Sequence, residues 1–428
     1  MRIAVVNNFF PPRVGGSSHL SAALAQEYAK RGHQVTVLTA AYRGAPAHEV
    51  VDGVDIHRLP AFVMPKMGLS IDFDITFTSG PRNLRRVFRL LDRFKPDVIH
   101  QHGQFLDLSW LTGQYARKRN VPVLLSIHTR LESPRAFYAN AFRAIDRVFL
   151  RRMLRRYDPR YVIMDEHAAT YCTARYDSGD HHYEYIPVAV DPARFEAPPS
   201  RDIRAELGLG DRPLIVSVGH VIPLRDRKLL MDALPAVLAK YPDTKLVVVG
   251  TVYYDAFLER ARELGIEDAV ICVGAVPKDD VPAYFAAADI EVHDLSGGGC
   301  GTASLEAMAA GRATVVAVSA TNFPGIDLVN WENAVLVSHR DSDELAAALI
   351  RLLDDPAERA AIAARQQALV HEHFTLDRVT EQHLEVFARM TGGQPSAGGR
   401  SGAPSLAAPS NDPAREDPAR EEPADVSR

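Results

Sequence analysis

The chain has 428 residues, of which 46% are apolar and 24% are charged. At roughly 100 to 200 residues per domain, this length predicts about two to three folded domains and excludes a single small module or a wholly disordered chain. The 49 basic and 54 acidic side chains give a formal charge of -5, so no global basic field is present and nucleic-acid binding is not favoured.

The apolar and cysteine patterns bear on the cellular compartment. No apolar run approaches the roughly 18 to 20 residues of a membrane-spanning helix, and the first apolar stretch, residues 3–6, is too short for a secretory signal. Cys172, Cys272 and Cys300 are odd in number and widely spaced, which fits neither a disulfide framework nor a thiolate zinc site. We therefore expect a cytoplasmic protein in a reducing compartment.

Short β-branched runs alternate with helix-length segments along most of the chain, which is typical of parallel sheets joined by crossover helices. Paired prolines at Pro198 and Pro199 cannot continue a helix or a central strand, so we place the interdomain linker at residues 188–200. Helical spacing from residue 344 to 390 predicts two or three terminal helices. Strands are predicted at residues 2–7, 34–39, 97–102, 121–127, 161–164, 183–186, 214–218, 245–249, 270–273, 290–293 and 314–318.

The segment 392–428 differs in composition from the rest of the chain. It has no aromatic residue, is rich in Pro, Ala, Gly and Ser, and repeats Asp-Pro-Ala-Arg-Glu from Asp412 and from Asp417. Such a segment cannot bury enough apolar surface to offset the entropy of ordering. We predict a disordered tail.

Two glycine-rich loops follow predicted strands and precede predicted helices. In the first, residues 11–16, two prolines fix an extended entry and Gly15 and Gly16 permit close backbone approach to an anion at a helix start. A plain strand-to-helix turn explains this loop equally well. The second loop, residues 296–302, offers a nest of bare amides for phosphate or sugar hydroxyls, at Gly298, Gly299, Cys300 and Gly301.

Charged residues accompany these loops. Glu306 lies about one turn beyond the second loop and can accept two hydroxyl protons from a ribose, although an exposed helical glutamate is the ordinary alternative. Residues 219–228 follow the first strand of the second half and contain several cations, which can neutralise a diphosphate. Taken alone, that segment could equally be a row of charged side chains that face water and bind no ligand.

Histidines stand at the predicted strand ends of the first half. His128 follows an apolar strand at the carboxyl edge, where open α/β sheets bind ligands; a histidine satisfied by the backbone is the alternative. His100 and His102 share a strand face and could mimic a metal pair. Because no third ligand lies within sequence reach, we expect a packing role for His100 and a cleft or acceptor contact for His102.

Residues 135–160 carry eight arginines against two aspartates, interleaved with apolar side chains. This pattern is typical of a basic amphipathic face that docks on anionic lipid headgroups. Arginine supplies 41 of the 49 cations of the chain. A general preference for arginine over lysine therefore explains the pattern as well. The hypothesis is a peripheral contact with the inner face of the membrane.

Taken in order, these motifs resemble the family 4 retaining glycosyltransferases of the GT-B fold over about residues 1–391. The resemblance implies an α/β protein with two Rossmann-like domains facing a cleft, an acceptor-side domain at 1–190 and a donor domain at 191–374. It also implies a terminal helix at 375–391 that packs back on the first domain, followed by the tail at 392–428. The motifs are Pro-Pro-x-x-Gly-Gly at 11–16, Asp-Val-Ile-His-x-His at 97–102, a buried strand then histidine at 121–128, Ile-Pro-x-x-Val-Asp at 186–191, and Leu-Glu-Ala-Met-Ala-x-Gly at 305–311.

The resemblance also implies roles for particular residues. The later Glu of the family's Glu-x7-Glu motif, which contacts the ribose, falls on Glu306, whereas the earlier one falls on Gly298, so the first carboxylate is missing. Asp294 is the nearest carboxylate that could hold the sugar instead. The family's diphosphate-binding Arg and Lys fall on His220 and Arg225.

Compensation for the lost cation is expected from Arg227 or Lys228. The family's histidine at the position of His128 contacts the transferred sugar or its phosphate, so His128 and Arg225 are the implied catalytic residues. The implied reaction moves a sugar from a nucleotide-diphosphate sugar to a hydroxyl of a glycolipid or glycan precursor by front-face displacement, without a metal or other cofactor. A nucleotide-sugar epimerase, a glycoside phosphorylase and a non-catalytic subunit on the same fold are the alternatives.

Overall fold

The computed structural model describes residues 1–13, 15–42, 44–63, 76–128, 130–132, 136–176, 183–223, 225–293, 295 and 299–392. The tail predicted at 392–428 lies outside these residues except for Gly392. Among the described residues, no helix is both long enough and apolar enough to cross a membrane.

The first half of the chain forms an eight-stranded sheet. Its strands are β1 (Arg2–Val6), β2 (Gln34–Ala40), β3 (His48–Val51), β4 (Val54–Leu59), β7 (Val98–His102), β8 (Val123–Ser126), β9 (Arg160–Ile163) and β10 (Tyr183–Tyr185). They lie in the order β10-β9-β8-β7-β1-β2-β4-β3, and all neighbours are parallel except β3 and β4. A separate antiparallel pair is β5 (Phe62–Val63) and β6 (Thr76–Phe77).

Six helices accompany this sheet within the described residues. The central strands are buried on both faces, because crossover helices cover the two sides of a parallel sheet. A π-helical turn at Asp146–Leu150 makes α4 and α5 one continuous helical segment. The helices are α1 (Gly16–Lys30), α2 (Pro81–Phe94), α3 (Asp107–Arg119), α4 (Ala136–Ile145), α5 (Arg151–Tyr157) and α6 (Glu166–Tyr176).

The second half forms a six-stranded parallel sheet in the order β13-β12-β11-β14-β15-β16. Its strands are β11 (Leu214–Val218), β12 (Lys245–Val249), β13 (Val270–Gly274), β14 (Ile290–Val292), β15 (Ala313–Val316) and β16 (Val335–Leu336). The helices are α7 (Ile203–Glu206), α8 (Lys228–Lys240), α9 (Ala256–Glu263), α10 (Val281–Ala287), α11 (Thr302–Ala309), α12 (Ser342–Asp354), α13 (Pro356–His373) and α14 (Leu376–Thr391).

The last helix, α14, belongs to the hydrophobic core of the first half. Val379, Val386 and Phe387 are buried there together with Ile3 and Tyr28. The rings of Phe387 and Tyr28 meet edge to face with centroids 5.5 Å apart. Burying one such side chain is worth about 1.5 to 3 kcal/mol, so α14 ties the second half of the chain to the core of the first.

Each of the predicted strands coincides with a strand of the structure. The short strands β5, β6 and β16 were not predicted, and neither was the hairpin of β3 and β4. Its turn is Asp52-Gly53, with φ of 50° and 78° at the two residues. An Asp-Gly pair between β-branched runs is a strong hairpin signal because both residues tolerate positive φ. The signal was therefore available in the sequence.

Candidate functional site

The candidate site lies where the carboxyl ends of the parallel strands of the two sheets face each other, the edge at which open α/β sheets bind ligands. Contacts between the halves occur at this edge. Glu166, at the start of α6, accepts hydrogen bonds from the hydroxyls of Ser319 (2.8 Å) and Thr321 (3.0 Å). The first half thus contacts the loop that follows β15.

The start of α1 offers unobstructed backbone amides. Gly15 is the N-cap residue and no side chain caps this helix. A Cβ added to Gly16 would meet no described atom within 4 Å, and one added to Gly15 would find only Ser18 at 4.0 Å. The preceding loop is held in place because the Ser18 hydroxyl donates to the Arg13 carbonyl at 2.6 Å. The space beside both glycines is therefore open to an anionic ligand.

The start of α11 is also uncapped by any side chain, with Gly301 at the N-cap position. The sequence-predicted loop residues Gly299 and Cys300 lead into it, with Gly299 at φ 114°. Asp294 and Gly298, to which the sequence analysis assigned sugar contacts, lie outside the described residues.

Glu306 lies one turn inside α11, and its side chain is only 16% exposed. Arg194 holds it with Nη1 3.4 Å from Oε1, and the same guanidinium donates to the carbonyl of Lys278 at 2.8 Å. Burial raises the pKa of Glu306, and the positive charges of Lys278 and Arg194 oppose that rise. Those two cations also lower the pKa of His19 on α1, after the larger effect of burial, so α1 faces this cluster.

Arg194 and Lys278 were not among the site residues predicted from the sequence. Arg194 lies in the 3-10 turn Pro192–Phe195, directly after the interdomain linker begins. Lys278 begins another 3-10 turn between β13 and α10. No spacing rule connects either residue to Glu306, so only the folded chain brings them together.

Arg227 is a structural residue, which corrects the expectation that it could compensate for the lost cation. Its side chain is fully buried. It donates to the Ser217 hydroxyl (2.7 Å), to the Arg225 carbonyl (2.7 Å) and to the Gly219 carbonyl (3.3 Å), and Nη2 lies 2.9 Å from His293 Nδ1. Because arginine cannot act as an acceptor, His293 Nδ1 must accept.

His293 packs between two loops of the second half. A Cβ on Gly219, where φ is 144°, would lie 2.0 Å from His293 Cε1, and one on Gly301 would lie 2.9 Å from Cδ2. Burial, followed by the charges of Arg227 and Arg225, keeps the pKa of His293 well below its usual value. The neutral imidazole of His293 thus sets the distance between residues 219–228, the cation-rich segment, and the start of α11.

The remaining cations of this segment point to solvent. The side chains of Arg225 and Lys228 are exposed, with Lys228 at the first position of α8. His220 is exposed as well, and its Nδ1 accepts from the Thr251 amide at 3.1 Å. Since Nδ1 is an acceptor, the hydrogen of a neutral His220 is on Nε2, where it can serve a ligand.

His128 follows β8 at the cleft edge and is hydrogen-bonded to His102, with His128 Nε2 2.7 Å from His102 Nδ1. Burial lowers the pKa of His128 to about 4 and holds that of His102 well below its usual value. His102 is only 1% exposed. This corrects the expectation of a direct cleft contact, since His102 lies behind His128.

His100 is fully buried and hydrogen-bonded to Tyr28 and Ser126.

The basic segment of the first half presents apolar side chains to solvent. Asp146, at the start of the π-helical turn, faces inward and accepts from the hydroxyls of Tyr171 (2.7 Å) and Tyr176 (3.2 Å). The outward face also carries the exposed arginines Arg143, Arg147, Arg152 and Arg156. The exposed apolar residues are Phe137 (78%), Ile145 (45%), Val148 (60%) and Phe149 (47%). We call this surface the basic apolar face.

Known protein families match both halves of the chain. The family described as Glycosyl transferase 4-like domain matches residues 15–189, and Glycosyl transferases group 1 matches residues 199–368. The chain therefore belongs to the family 4 glycosyltransferases of the GT-B fold, an enzyme family, and the predicted family and fold are confirmed.

Curated relatives align over most of the chain. One is a GDP-mannose-dependent alpha-(1-6)-phosphatidylinositol monomannoside mannosyltransferase of Mycolicibacterium smegmatis, 28% identical over 85% of this chain and 93% of the relative. Another is a D-inositol 3-phosphate glycosyltransferase of Kineococcus radiotolerans, 29% identical over 88% of this chain and 90% of the relative.

Among solved structures, the Anabaena protein HepE in complex with UDP superposes with a TM-score of 0.69 at 18% identity, covering 91% of this chain and 100% of HepE. At that identity the likeness concerns the fold. It shows the same two-domain architecture.

Proposed function

We propose that the protein transfers a sugar, with retention of anomeric configuration, from a nucleotide-diphosphate sugar to a hydroxyl of a lipid-linked acceptor. The observation that carries the proposal is the pair of uncapped helix starts at Gly15 and Gly301, with the largely buried carboxylate of Glu306 one turn inside the second. Bare amides at helix starts favour a diphosphate, and a carboxylate one turn away can hold the ribose.

In the proposed reaction the acceptor hydroxyl attacks the anomeric carbon on the side of the leaving diphosphate. A phosphate oxygen takes the hydroxyl proton while the bond from the anomeric carbon to the diphosphate oxygen breaks. The protein stabilises the charge that grows on the diphosphate, and one well-placed donor is worth about 3 to 4 kcal/mol. Arg225, Lys228 and His220 Nε2 are the exposed donors beside the site, and we propose that no metal cofactor takes part.

A nucleotide panel tests the donor half of the proposal. Thermal unfolding would be followed with GDP, UDP, ADP, dTDP and GDP-mannose, the donor that names the Mycolicibacterium relative. A ligand at a hundred times its dissociation constant stabilises the folded state by about 2.7 kcal/mol. Glu306→Ala should lose most of the shift, whereas Glu259→Ala, an exposed glutamate on α9, should keep it. A full shift in Glu306→Ala would remove the ribose assignment.

The reaction itself is tested with the panel's best donor and a lipid-linked acceptor. The proton NMR spectrum of the first product should show the anomeric configuration of the donor, and the rate should persist in EDTA. An inverted product would refute retention, and a rate restored only by a divalent cation would refute the proposed metal independence. Formation of sugar 1-phosphate from a glycoside and added inorganic phosphate, without a nucleotide, would instead indicate a phosphorylase.

The basic apolar face supports a lipid-linked acceptor. Apolar side chains beside arginines suit the boundary between headgroups and acyl chains of an anionic membrane, and the Mycolicibacterium relative is named for a phosphatidylinositol mannoside. We propose that this face docks on anionic lipid and thereby brings the acceptor to the cleft.

Vesicle sedimentation tests the docking. Arg147, Arg152 and Arg156→Glu together should abolish binding to vesicles containing phosphatidylglycerol. The matched control is the same charge change on α2, at Arg82, Arg85 and Arg89, which are also exposed. Equal loss in both triple variants would show that net charge, rather than this face, drives binding; unchanged binding in the first would end the docking proposal.

A further inference from the structure

The direction of the hydrogen bond behind His128 can be inferred from the surroundings of the two rings. His102 Nδ1 and His128 Nε2 are 2.7 Å apart, and the two rings are nearly parallel, at 13° with centroids 5.0 Å apart. Since both imidazoles titrate below their usual range, both are neutral near pH 7. Each ring then carries a single hydrogen, and one of the two facing nitrogens must supply it to the other.

The other nitrogen of His102 decides between the two arrangements. His102 Nε2 is buried and has no hydrogen-bond partner among the residues that the structure describes. If His128 donated the bond, the hydrogen of His102 would be on Nε2 and would be a buried N–H without an acceptor. If His102 donates, Nε2 is only an unpaired acceptor. Buried N–H groups without an acceptor are rare in folded proteins, which favours His102 as the donor.

We propose that His102 is a positioning residue that fixes His128 in the tautomer with its hydrogen on Nδ1, so that His128 offers the cleft a hydrogen-bond donor and not a base. This inference rests on the proposed sugar transfer. The bond to His102 uses Nε2 of the partly exposed His128 ring, so the N–H at Nδ1 can be offered to a sugar or phosphate oxygen. His128 then cannot take the acceptor's proton, which agrees with the transfer of that proton to a phosphate oxygen of the substrate.

The surroundings of the pair hold this arrangement over a wide pH range. The titratable groups packed beside it in the described part of the chain are His100 on β7, His383 on α14 and, behind His100, Tyr28 on α1. His383 is neutral too, because burial lowers its pKa to about 4. No described carboxylate contributes to the pKa shifts of His102 or His128, so nothing there favours an imidazolium.

Nitrogen-15 NMR of histidine-labelled full-length protein reads the tautomer directly. His128 should show a protonated Nδ1 and a bare Nε2, with its signals assigned by their loss in His128→Gln. The reverse pattern, or equal populations of both tautomers, would overturn the proposal. Because this readout needs no turnover, it decides the tautomer even if the protein proves to use another substrate.

Variants at His102 separate positioning from packing. The side-chain amide nitrogen of asparagine lies near the position of histidine Nδ1, so His102→Asn keeps a donor to His128, whereas His102→Leu removes it. With a donor-sugar substrate, His102→Leu should lower kcat about tenfold or more, as expected for one lost hydrogen bond, with little change in the KM of the donor. His102→Asn should recover most of that loss.

The control is His383→Leu, which removes a buried imidazole that is not bonded to His128. It should lower thermal stability about as much as His102→Leu while leaving the nitrogen signals of His128 unchanged. If His102→Asn and His102→Leu lowered kcat equally and left the nitrogen signals of His128 unchanged, His102 would have a packing role only.

Discussion

The two helix starts that face the cleft use glycine for different reasons. At α1, the positions of Gly15 and Gly16 border open space, so a Cβ at either position would not clash with the described protein. In the second half, Gly219 and Gly301 press against His293, which Arg227 holds from behind. The first loop therefore leaves open space beside its glycines, whereas the packing of the protein itself requires the glycines of the second half.

The largest expected effect comes from breaking the packed loop. Gly219→Ala places a methyl group 2.0 Å from His293 Cε1 at a residue with φ 144°. Overpacking and backbone strain together should cost about 2 to 4 kcal/mol of the free energy of unfolding. Urea unfolding measures this loss of stability. If Gly219→Ala unfolded at the same urea concentration as the wild type, His293 would have to move aside at no cost.

Two arginines of the same segment should separate stability from activity. Arg227→Met leaves several buried acceptors without a donor and should destabilise the fold by about 2 to 3 kcal/mol. Arg225→Met removes an exposed side chain, so stability should stay within about 0.5 kcal/mol while kcat/KM falls about a hundredfold. Urea unfolding and steady-state kinetics on both variants check the contrast; an active Arg225→Met would remove that residue from the site.

Acid should weaken the buried histidine cluster of the first half. His128 and His383 have folded pKa values of about 4 against an ordinary 6.5, so between these values the unfolded chain binds more protons than the folded one. Stability should therefore fall as pH drops from 6.5 toward 4, by up to about 1.4 kcal/mol per pH unit for each such histidine. His383→Leu should show a shallower pH dependence in thermal melts, and an equal slope would contradict the assignment.

The smallest effect on stability is expected at the open loop. Gly16→Ala adds a methyl group where no described atom lies within 4 Å, so unfolding should change by less than about 0.5 kcal/mol. Donor affinity should nevertheless fall about tenfold, because the methyl group occupies space beside the amides that bind phosphate. Calorimetric titration with the nucleotide measures this, and unchanged affinity would place the diphosphate elsewhere.

Local sequence patterns determined most of the secondary structure. Strand positions followed from β-branched runs, and Gly15, Gly301 and Glu306 were recognisable because glycines between a strand and a helix mark a close approach of the backbone. The hairpin of β3 and β4 was equally local, since Asp52-Gly53 encodes its turn, but it was overlooked.

Relations between distant residues were decided only by the tertiary structure. Arg194 meets Glu306 across 112 positions of sequence, and Arg227 meets His293 across 66. From the sequence alone, Arg227 was one of several candidate phosphate-binding cations, and His102 was expected to contact the cleft. Burial distinguished them, because whether a charged or titratable group faces water or another side chain depends on which elements pack together, and no local pattern encodes that.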